Sequence, residues 1–205
     1  MGFYQDRILP HLVNWAMRNR QFEPYRKRVA STAEGRVLEI GIGSGLNLIF
    51  YPPRVREVLG LEPSERLLSM TRKAAGRSGL GVALIEGSAE AIPIDRNSID
   101  TVVTTWTLCT IPNALQALME MRRVLRPNGR LLFVEHGLAP EQKIRKWQNR
   151  LTPVWRRIAG GCHLNRPILE LIEKAGFEIT YLDTGYMEEG PKLMTFFYQG
   201  SARPK

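Results

Sequence analysis

A glycine-rich loop follows the first short apolar segment of the chain. Residues 35–38 read GRVL, and residues 39–45 read EIGIGSG. This pattern predicts a β-strand that ends on an acidic residue and breaks into a loop with glycine at Gly41, Gly43 and Gly45. Glycine reaches backbone angles closed to other residues and lets a ligand approach the main chain. The pattern predicts the first crossover of a nucleotide-binding α/β sheet.

The spacing of this loop argues against a diphosphate ligand. It is G-x-G-x-G, whereas the loop that seats a pyrophosphate at a helix N-terminus is G-x-G-x-x-G. The carboxylate of Glu39 would repel a diphosphate, but it can accept a hydrogen bond from an ammonium group, directly or through water. S-adenosylmethionine, which carries an ammonium, a sulfonium, a ribose and an adenine, fits this description. The alternative role for Glu39 is to brace the loop.

A second apolar segment leads to another acidic residue. Residues 57–61 read EVLGL, and Glu62, Pro63 and Ser64 follow. An acidic residue about 20 positions after the glycine loop is where such a sheet holds ribose hydroxyls. Because a carboxylate has two acceptor oxygens, Glu62 is the predicted ribose ligand. Pro63 and Ser64 are predicted to flank the adenine.

Three further segments have the composition of strands. They are residues 82–86, 99–105 and 130–135. Ligands of parallel sheets bind outside the carboxyl ends of the strands, so the loops after these segments should surround one cofactor. The predicted contacts are Ser88, Ala89 and Glu90 with the adenine, and Thr105 below the methyl group.

The order of these segments resembles a known family. VLEIGIGSG, LGLEPS, EGSAEAIPI, SIDTVVTTWTLCTI and MRRVLRPNGRLLFVEH, which together span residues 37–136, are similar to the motifs of class I S-adenosylmethionine-dependent methyltransferases. The resemblance implies one α/β domain over residues 1–205, with a seven-stranded, mostly parallel Rossmann-like sheet, helices on both faces and an antiparallel last strand. It also implies that S-adenosylmethionine is converted to S-adenosylhomocysteine. Many members have Asp at the position of Ser88, so this contact with the adenine is expected to be uncharged here.

A narrower resemblance concerns the methyl acceptor. YPP after the glycine loop, TLCTI, FVEH, and the residues Gly161, Cys162, Leu164 and Arg166 are similar to mammalian methyltransferase-like proteins that methylate alkyl thiols. They are also similar to bacterial enzymes that S-methylate hydrogen sulfide and methanethiol. The resemblance implies a small thiol as acceptor. The alternatives are a quinone precursor, a phospholipid amine or another small molecule, and a protein that binds the cofactor or RNA without catalysis.

A thiol acceptor defines what the remaining polar residues would do. A thiol reacts as the thiolate, and a free thiol is only slightly ionised near neutral pH. The candidates for accepting its proton or stabilising its anion are His136, His163 and Arg166. His136 is the first choice as base, with a structural role as the alternative. Cys109 and Cys162 are predicted to pack rather than to act as nucleophiles, and the sequence indicates no metal cluster.

Two segments outside the predicted strands are expected to close the site. Residues 1–30 are predicted to form an N-terminal helical lid, with Tyr4 against the cofactor or the acceptor. Residues 137–166 form a long connection that would cover the acceptor side. Within it, residues 143–157 carry basic side chains interleaved with tryptophans. This pattern is typical of a solvated helix or of a helix that contacts a membrane surface, and nucleic acid is not expected because no RNA-binding motif accompanies it.

The composition is that of an ordinary globular domain. The 205 residues are 43% hydrophobic and 24% charged, with a formal net charge of +9. The basic excess favours contact with anionic surfaces or substrates. No apolar run reaches the ~18–20 residues that span a bilayer, and residues 1–20 show no secretion signal. Because the two cysteines make no disulfide pattern, a cytoplasmic location is predicted.

Overall fold

The computed structural model describes residues 4–205, and its central feature is a twisted sheet. The seven strands lie in the order β3-β2-β1-β4-β5-β7-β6. Their bounds are β1 Gly35–Ile40, β2 Val55–Glu62, β3 Val82–Glu86, β4 Ile99–Thr105, β5 Leu125–His136, β6 Phe177–Tyr186 and β7 Phe196–Pro204. Strand β7 runs antiparallel to both of its neighbours, and the other pairs are parallel. The predicted fold class is therefore confirmed.

Helices cover both faces of the sheet. They are α1 Leu9–Met17, α2 Glu23–Ala30, α3 Glu65–Ser78, α4 Ala114–Val124, α5 Gln142–Ile158, α6 Ile168–Lys174 and α7 Lys192–Thr195. Successive residues of a strand point to opposite faces, so Leu38 belongs to one buried cluster and Val37 to the other. The parallel strands read as continuous apolar runs because both of their faces are buried.

The N-terminal segment is helical, as predicted, but it is divided into several pieces. A π-helical turn Tyr4–Ile8 leads into α1, and a short 3₁₀-helix Arg20–Phe22 separates α1 from α2. Both α1 and α2 carry a proline in their first turn. Proline suits a helix start because the first N–H groups of a helix have no partner within it.

Polar side chains cap the start of two helices, α3 and α4. The Ser64 side chain accepts from the Leu67 N–H at 3.4 Å, and α3 follows. The Asn113 side chain accepts from the Gln116 N–H at 3.1 Å, and α4 follows. These contacts satisfy N–H groups that the helices leave unpaired.

The predicted connection 137–166 contains the longest helix of the described chain, α5. Its buried residues are Gln148 and Thr152. The Gln148 amide donates to the carbonyl groups of Gly137 and Leu193, each at 3.0 Å, and accepts from the Ala139 N–H at 3.0 Å. This single side chain therefore fixes the helix against the ends of the sheet, while most of the helix surface faces solvent.

Two strand boundaries differ from the sequence prediction. The composition of residues 126–129 predicts a turn, but these residues lie within β5, whose register against β4 shifts between Ile99 and Thr101. Residues 193–199 have the composition of a last strand, but helix α7 takes up the first of them, so β7 begins only at Phe196. Neither change alters the order or the direction of the strands.

Candidate active site

A cavity of about 480 Å³ lies at the carboxyl ends of the central strands. This volume is within the range of ~300–1,000 Å³ typical of small-molecule sites. The predicted cofactor residues that line it are Glu39, Gly41, Gly43, Glu62, Pro63, Ser88, Ala89 and Thr105. The structure thus brings together residues from four strand ends, at the edge of the sheet where the sequence predicts the site.

The glycine loop has the backbone geometry expected of it. Gly41, Gly43 and Gly45 have φ angles of 66°, 58° and 78°. At Gly41 a Cβ atom would also lie 2.5 Å from the Thr107 side chain. Only glycine meets both conditions there, because other residues rarely adopt this conformation.

Glu39 is buried below the glycine loop and engaged on both oxygens. Oε1 accepts from the Asn47 amide and Oε2 from the Tyr51 hydroxyl, each at 2.8 Å. Burial raises the pKa of Glu39 to about 7, against the opposing effect of these hydrogen bonds. The geometry supports the loop-bracing role, while Glu39 still forms part of the cavity surface.

Arg26 extends this buried network to helix α2. Its guanidinium donates to the Asn47 side chain at 3.3 Å and to the Thr105 hydroxyl at 3.4 Å. Burial lowers its pKa to about 10, partly offset by Glu39. Sequence reasoning missed Arg26 and Asn47, since an arginine in a basic helix and a single asparagine carry no distinctive spacing.

Glu62 joins the end of β2 to the glycine loop. Its carboxylate accepts from the Gly43 N–H at 3.2 Å and from the Ser64 N–H at 3.1 Å. Burial raises its pKa, whereas the two N–H groups oppose that shift. The carboxylate is therefore held in one position at the cavity surface.

Trp106, which follows β4 directly, forms part of the cavity wall. It has a φ of 51°, which is rare for a large side chain. Phe22 packs edge-on against its ring at 4.9 Å between centroids, and the Arg26 guanidinium lies 4.9 Å from the ring centroid. Unusual backbone of this kind concentrates at functional sites, which favours a role of Trp106 as a wall of the pocket.

Helix α1 and the end of the 137–166 connection meet over the cavity. Leu9 and Val13 of α1 line it from one side, and Gly160 and Gly161 line it from the other. A Cβ atom at Gly160 would lie 2.9 Å from the Leu9 side chain. The two segments predicted to close the site are therefore in contact above it.

The remaining predicted cofactor residues lie outside the cavity lining of the described chain. Tyr4 donates its hydroxyl to the Ile158 carbonyl at 2.7 Å, at the end of α5. Glu90 accepts from the Asn113 N–H at 2.7 Å and contacts the Ser88 hydroxyl at 3.1 Å. Gly45 packs near Leu48 of the next turn. Tyr4, Gly45 and Glu90 therefore contact the elements that surround the cavity rather than the cavity itself.

The three predicted catalytic residues lie together, but none of them belongs to the cavity lining. Arg166 contacts His163 Nδ1 at 2.6 Å and donates to the Cys109 carbonyl at 3.3 Å. His136 Nε2 lies 3.1 Å from Cys162 Sγ. Burial and the charge of Arg166 lower the pKa of His163. The cavity lining reaches this group through Thr110 and Gly161, which flank Cys109 and Cys162 in sequence.

Comparison with known proteins places this geometry in a family. A family model described as a methyltransferase domain matches residues 38–133. The chain is 31% identical over 182 residues to the thiol S-methyltransferase TMT1B of Rattus norvegicus, covering 84% of this chain and 74% of that protein. The chain belongs to the class I S-adenosylmethionine-dependent methyltransferases. It is an enzyme of this class, as the sequence predicts.

Other similar proteins are named for methyl acceptors other than thiols. The chain is 32% identical over 140 residues to a phosphatidylethanolamine N-methyltransferase of Cereibacter sphaeroides, covering 64% of this chain and 68% of that protein. A Thermotoga maritima methyltransferase described as a possible histamine N-methyltransferase superposes with a TM-score of 0.70 at 22% identity, over 98% of each chain. This likeness shows the shared fold.

The cavity fits S-adenosylmethionine by the chemistry of its lining. Glu39 and Glu62 place two buried carboxyl groups beside it, which suits a ligand with an ammonium and a sulfonium. The absence of a side chain at Gly41 and Gly43 leaves the main chain open to close approach.

No helix within residues 4–205 combines the length and the apolar character needed to cross a bilayer.

Proposed function

We propose that this methyltransferase transfers the methyl group to the sulfur of a small thiol, such as hydrogen sulfide, methanethiol or an alkyl thiol. The observation that carries this proposal is the similarity to a thiol S-methyltransferase over 84% of the chain. That similarity reaches beyond the cofactor-binding half, into segments that line the acceptor side. The largely apolar walls from α1, Trp106 and residues 159–161 suit a small, uncharged acceptor.

In this proposal different cavity residues contact different parts of the cofactor. Glu62 accepts from the ribose hydroxyls, the glycine loop faces the methionyl part, and Ser88 with Ala89 faces the adenine. Glu39 holds the loop in place and balances the positive charge of the ligand. The support is that all of these residues share one cavity surface, with Glu62 and Glu39 fixed by hydrogen bonds.

The protein's task in the transfer is to position the acceptor and to exclude water. S-adenosylmethionine, when bound, supplies a methyl group already activated by a positively charged sulfur. Trp106 and helix α1 shield the site from solvent, which favours an in-line approach of the nucleophile. Arg166, close behind the acceptor wall, stabilises the thiolate through its positive charge.

The direct test is detection of the methylated product. Purified protein with S-adenosylmethionine is incubated with sulfide, methanethiol or a longer alkyl thiol, and the methylated sulfur product is measured by gas chromatography or mass spectrometry. Phosphatidylethanolamine vesicles and a demethylated quinol are offered in parallel. Methylation of a thiol is expected. Methylation of the quinol or the lipid amine without any thiol product would refute the proposal.

A phospholipid amine is the second candidate acceptor, and one surface favours it. Trp147, Leu151, Val154 and Ile158 follow each other at helical spacing along α5, and between 38% and 60% of each is exposed. Lys143, Lys146, Arg150 and Arg157 flank this row and are exposed too. An apolar row bordered by cations is typical of a helix that lies on an anionic membrane.

We also propose a cytoplasmic location with peripheral membrane contact through this face of α5. The free thiols of Cys109 and Cys162 support a reducing compartment. Fractionation of cells that express a tagged chain, with washes of increasing salt, tests both parts. Release from membranes by salt alone is expected, because the proposed attraction is partly electrostatic. Recovery of the protein in the secreted fraction would contradict the cytoplasmic location.

A further inference from the structure

Three potential metal ligands, Cys109, His136 and Cys162, lie next to one another beside the cavity. Their donor atoms, two sulfurs and one imidazole nitrogen, all lie within 4.8 Å of one another. They come from three separate places: the loop after β4, the end of β5 and the loop after α5. The sequence indicated no metal cluster because these residues are far apart along the chain, and that expectation is not tested by any bound ion.

We propose that Cys109, His136 and Cys162 bind one zinc ion, with a fourth coordination position left for water or another small ligand. Two thiolates and one imidazole form a donor set that zinc prefers. Zinc sites have Zn–S distances of about 2.3 Å and Zn–N distances of about 2.0–2.1 Å, so tetrahedral donors lie roughly 3.5–3.8 Å apart. The observed distance of 3.1 Å between His136 Nε2 and Cys162 Sγ needs only a small expansion.

The surroundings of the cluster support a ligand there. Cys109 is 2% exposed, Cys162 is half-buried, and both are free thiols, so two sulfur donors are available in a site largely shielded from solvent.

Metal binding at this cluster is a proton exchange that balances in charge. Both thiols lose their protons to solvent, and His136 binds through a neutral nitrogen, so zinc with two thiolates carries no net charge. No electron transfer is involved. A zinc-bound His136 cannot act as a base through Nε2, because the lone pair of that nitrogen is then occupied.

The metal would fasten the acceptor side of the cavity. Cys109 is followed by Thr110, and Cys162 is preceded by Gly161; both neighbours line the cavity. A Cβ atom at Gly161 would lie 3.3 Å from the Thr110 carbonyl, so the two segments are already in close contact. A shared ion would hold them in one arrangement with the end of β5, and this role does not depend on which acceptor the enzyme uses.

The first test uses the wild-type protein alone. The full chain, purified with reductant and stripped with a chelator, is titrated with Co²⁺ as a zinc probe and then with Zn²⁺. One equivalent is expected, with sulfur-to-cobalt charge-transfer absorption that zinc abolishes and about two protons released per ion at a pH where both thiols are protonated. Binding well below one equivalent, or cobalt absorption without a sulfur contribution, would overturn the proposal.

Variants then assign the ligands. Cys162→Ser and His136→Ala should weaken zinc binding by at least the ~10–100-fold that even outer-shell substitutions cost. His163→Ala is the matched control, because it removes the histidine next to Cys162 but none of the three donors, and it should keep one equivalent. Equal affinity in wild type and Cys162→Ser would overturn the assignment. Thermal unfolding and circular dichroism confirm that each variant is folded. If a variant does not fold, the titration of the wild-type protein still tests the proposal.

Activity measurements keep this proposal separate from the proposed acceptor. A protein that methylates thiols at an unchanged rate and binds no metal refutes the zinc site alone. A protein that binds one zinc ion through these residues and methylates no thiol refutes the acceptor alone.

Discussion

Glu62 shows how a single side chain can connect two parts of a site. Its carboxylate receives N–H groups from the glycine loop and from the start of α3, so its position depends on both. Each of these bonds uses one lone pair of an oxygen, and the others remain free to accept from a ligand. This arrangement leads to a prediction about cofactor binding.

Replacing Glu62 with Ala should weaken S-adenosylmethionine binding by tenfold or more, because each lost hydrogen bond to a charged group costs about 1.5–3 kcal/mol. Isothermal titration calorimetry measures the affinity. Glu65→Ala is the control, since Glu65 is exposed and pairs with Arg72 on the surface of α3. Unchanged affinity in a folded Glu62→Ala protein would contradict the ribose assignment.

Glu39 carries a prediction about pH and stability. Burial raises the pKa of Glu39 in the folded protein to about 7, above its ordinary value of 4.5, so the folded state favours the protonated carboxyl. The stabilisation from this preference is complete below pH 4.5 and is lost as the pH rises to about 7. A shift of this size corresponds to about 3 kcal/mol.

We therefore expect wild type to lose stability relative to Glu39→Gln as the pH rises through this window, and the difference to stay constant above it. The measurement is the free energy of unfolding in urea at a series of pH values. Parallel pH curves for the two proteins would show that Glu39 does not titrate in this range.

At the scale of elements, helix α1 and the segment that follows α5 both contribute to the cavity lining. Leu9 and Val13 of helix α1 line the cavity, and Arg26 holds the end of α1 by donating to the Met17 carbonyl at 3.2 Å. Helix α5 presents its apolar row to solvent, and residues 159–161, which follow it, line the cavity. The two helices can therefore be tested separately, α1 by truncation and α5 by substitutions on its exposed apolar row.

Removing residues 1–17 should reduce turnover much more than it reduces the melting temperature, because closure excludes water from the transfer. Steady-state kinetics and thermal unfolding measure the two effects. Trp15→Ala is the control, since this side chain is 77% exposed and does not line the cavity. Full activity after truncation would mean that the segment only packs.

The apolar row of α5 should bind anionic vesicles. The double substitution Trp147→Ser and Val154→Ser should reduce co-sedimentation with vesicles that contain anionic lipid, whereas neutral vesicles bind weakly to either protein. Met119→Ser on α4 is the control, because Met119 is 51% exposed and lies on a different helix. Equal binding by wild type and the double variant would remove α5 as the contact surface.

At the scale of the whole molecule, charges from several elements act on the acceptor side. Arg166 is buried between the loop after β4 and the connection that follows α5, and its main-chain carbonyl accepts from the Leu138 N–H at 2.9 Å. Burial lowers the pKa of Arg166, while Cys109 and Glu135 act in the opposite direction. A positive charge in this position would lower the pKa of a bound thiol.

Methylation of a small thiol should therefore increase with pH, with a midpoint below the pKa of the free thiol. Arg166→Ala should move this midpoint upward and leave the affinity for S-adenosylmethionine near that of wild type. The measurement is kcat/KM against pH with one thiol. Arg157→Ala is the control, since Arg157 is an exposed arginine of α5. A midpoint unchanged in Arg166→Ala would exclude this role.

Local patterns along the chain determined the sheet and most of the cofactor-side residues. The apolar segments, the glycine loop and Glu62 depend on neighbours close in sequence, and strand ends of a parallel sheet converge on one edge. The caps at Ser64 and Asn113 follow the same logic, because capping needs only three or four consecutive residues.

Only the tertiary structure decided which distant side chains meet. Arg26, Asn47 and Thr105 come from three elements and share one buried network with Glu39. In the same way, Cys109, His136 and Cys162 become neighbours only when α5 packs back onto the strand ends. Such contacts have no sequence period, because the paths of the loops and the burial of the whole chain bring them together.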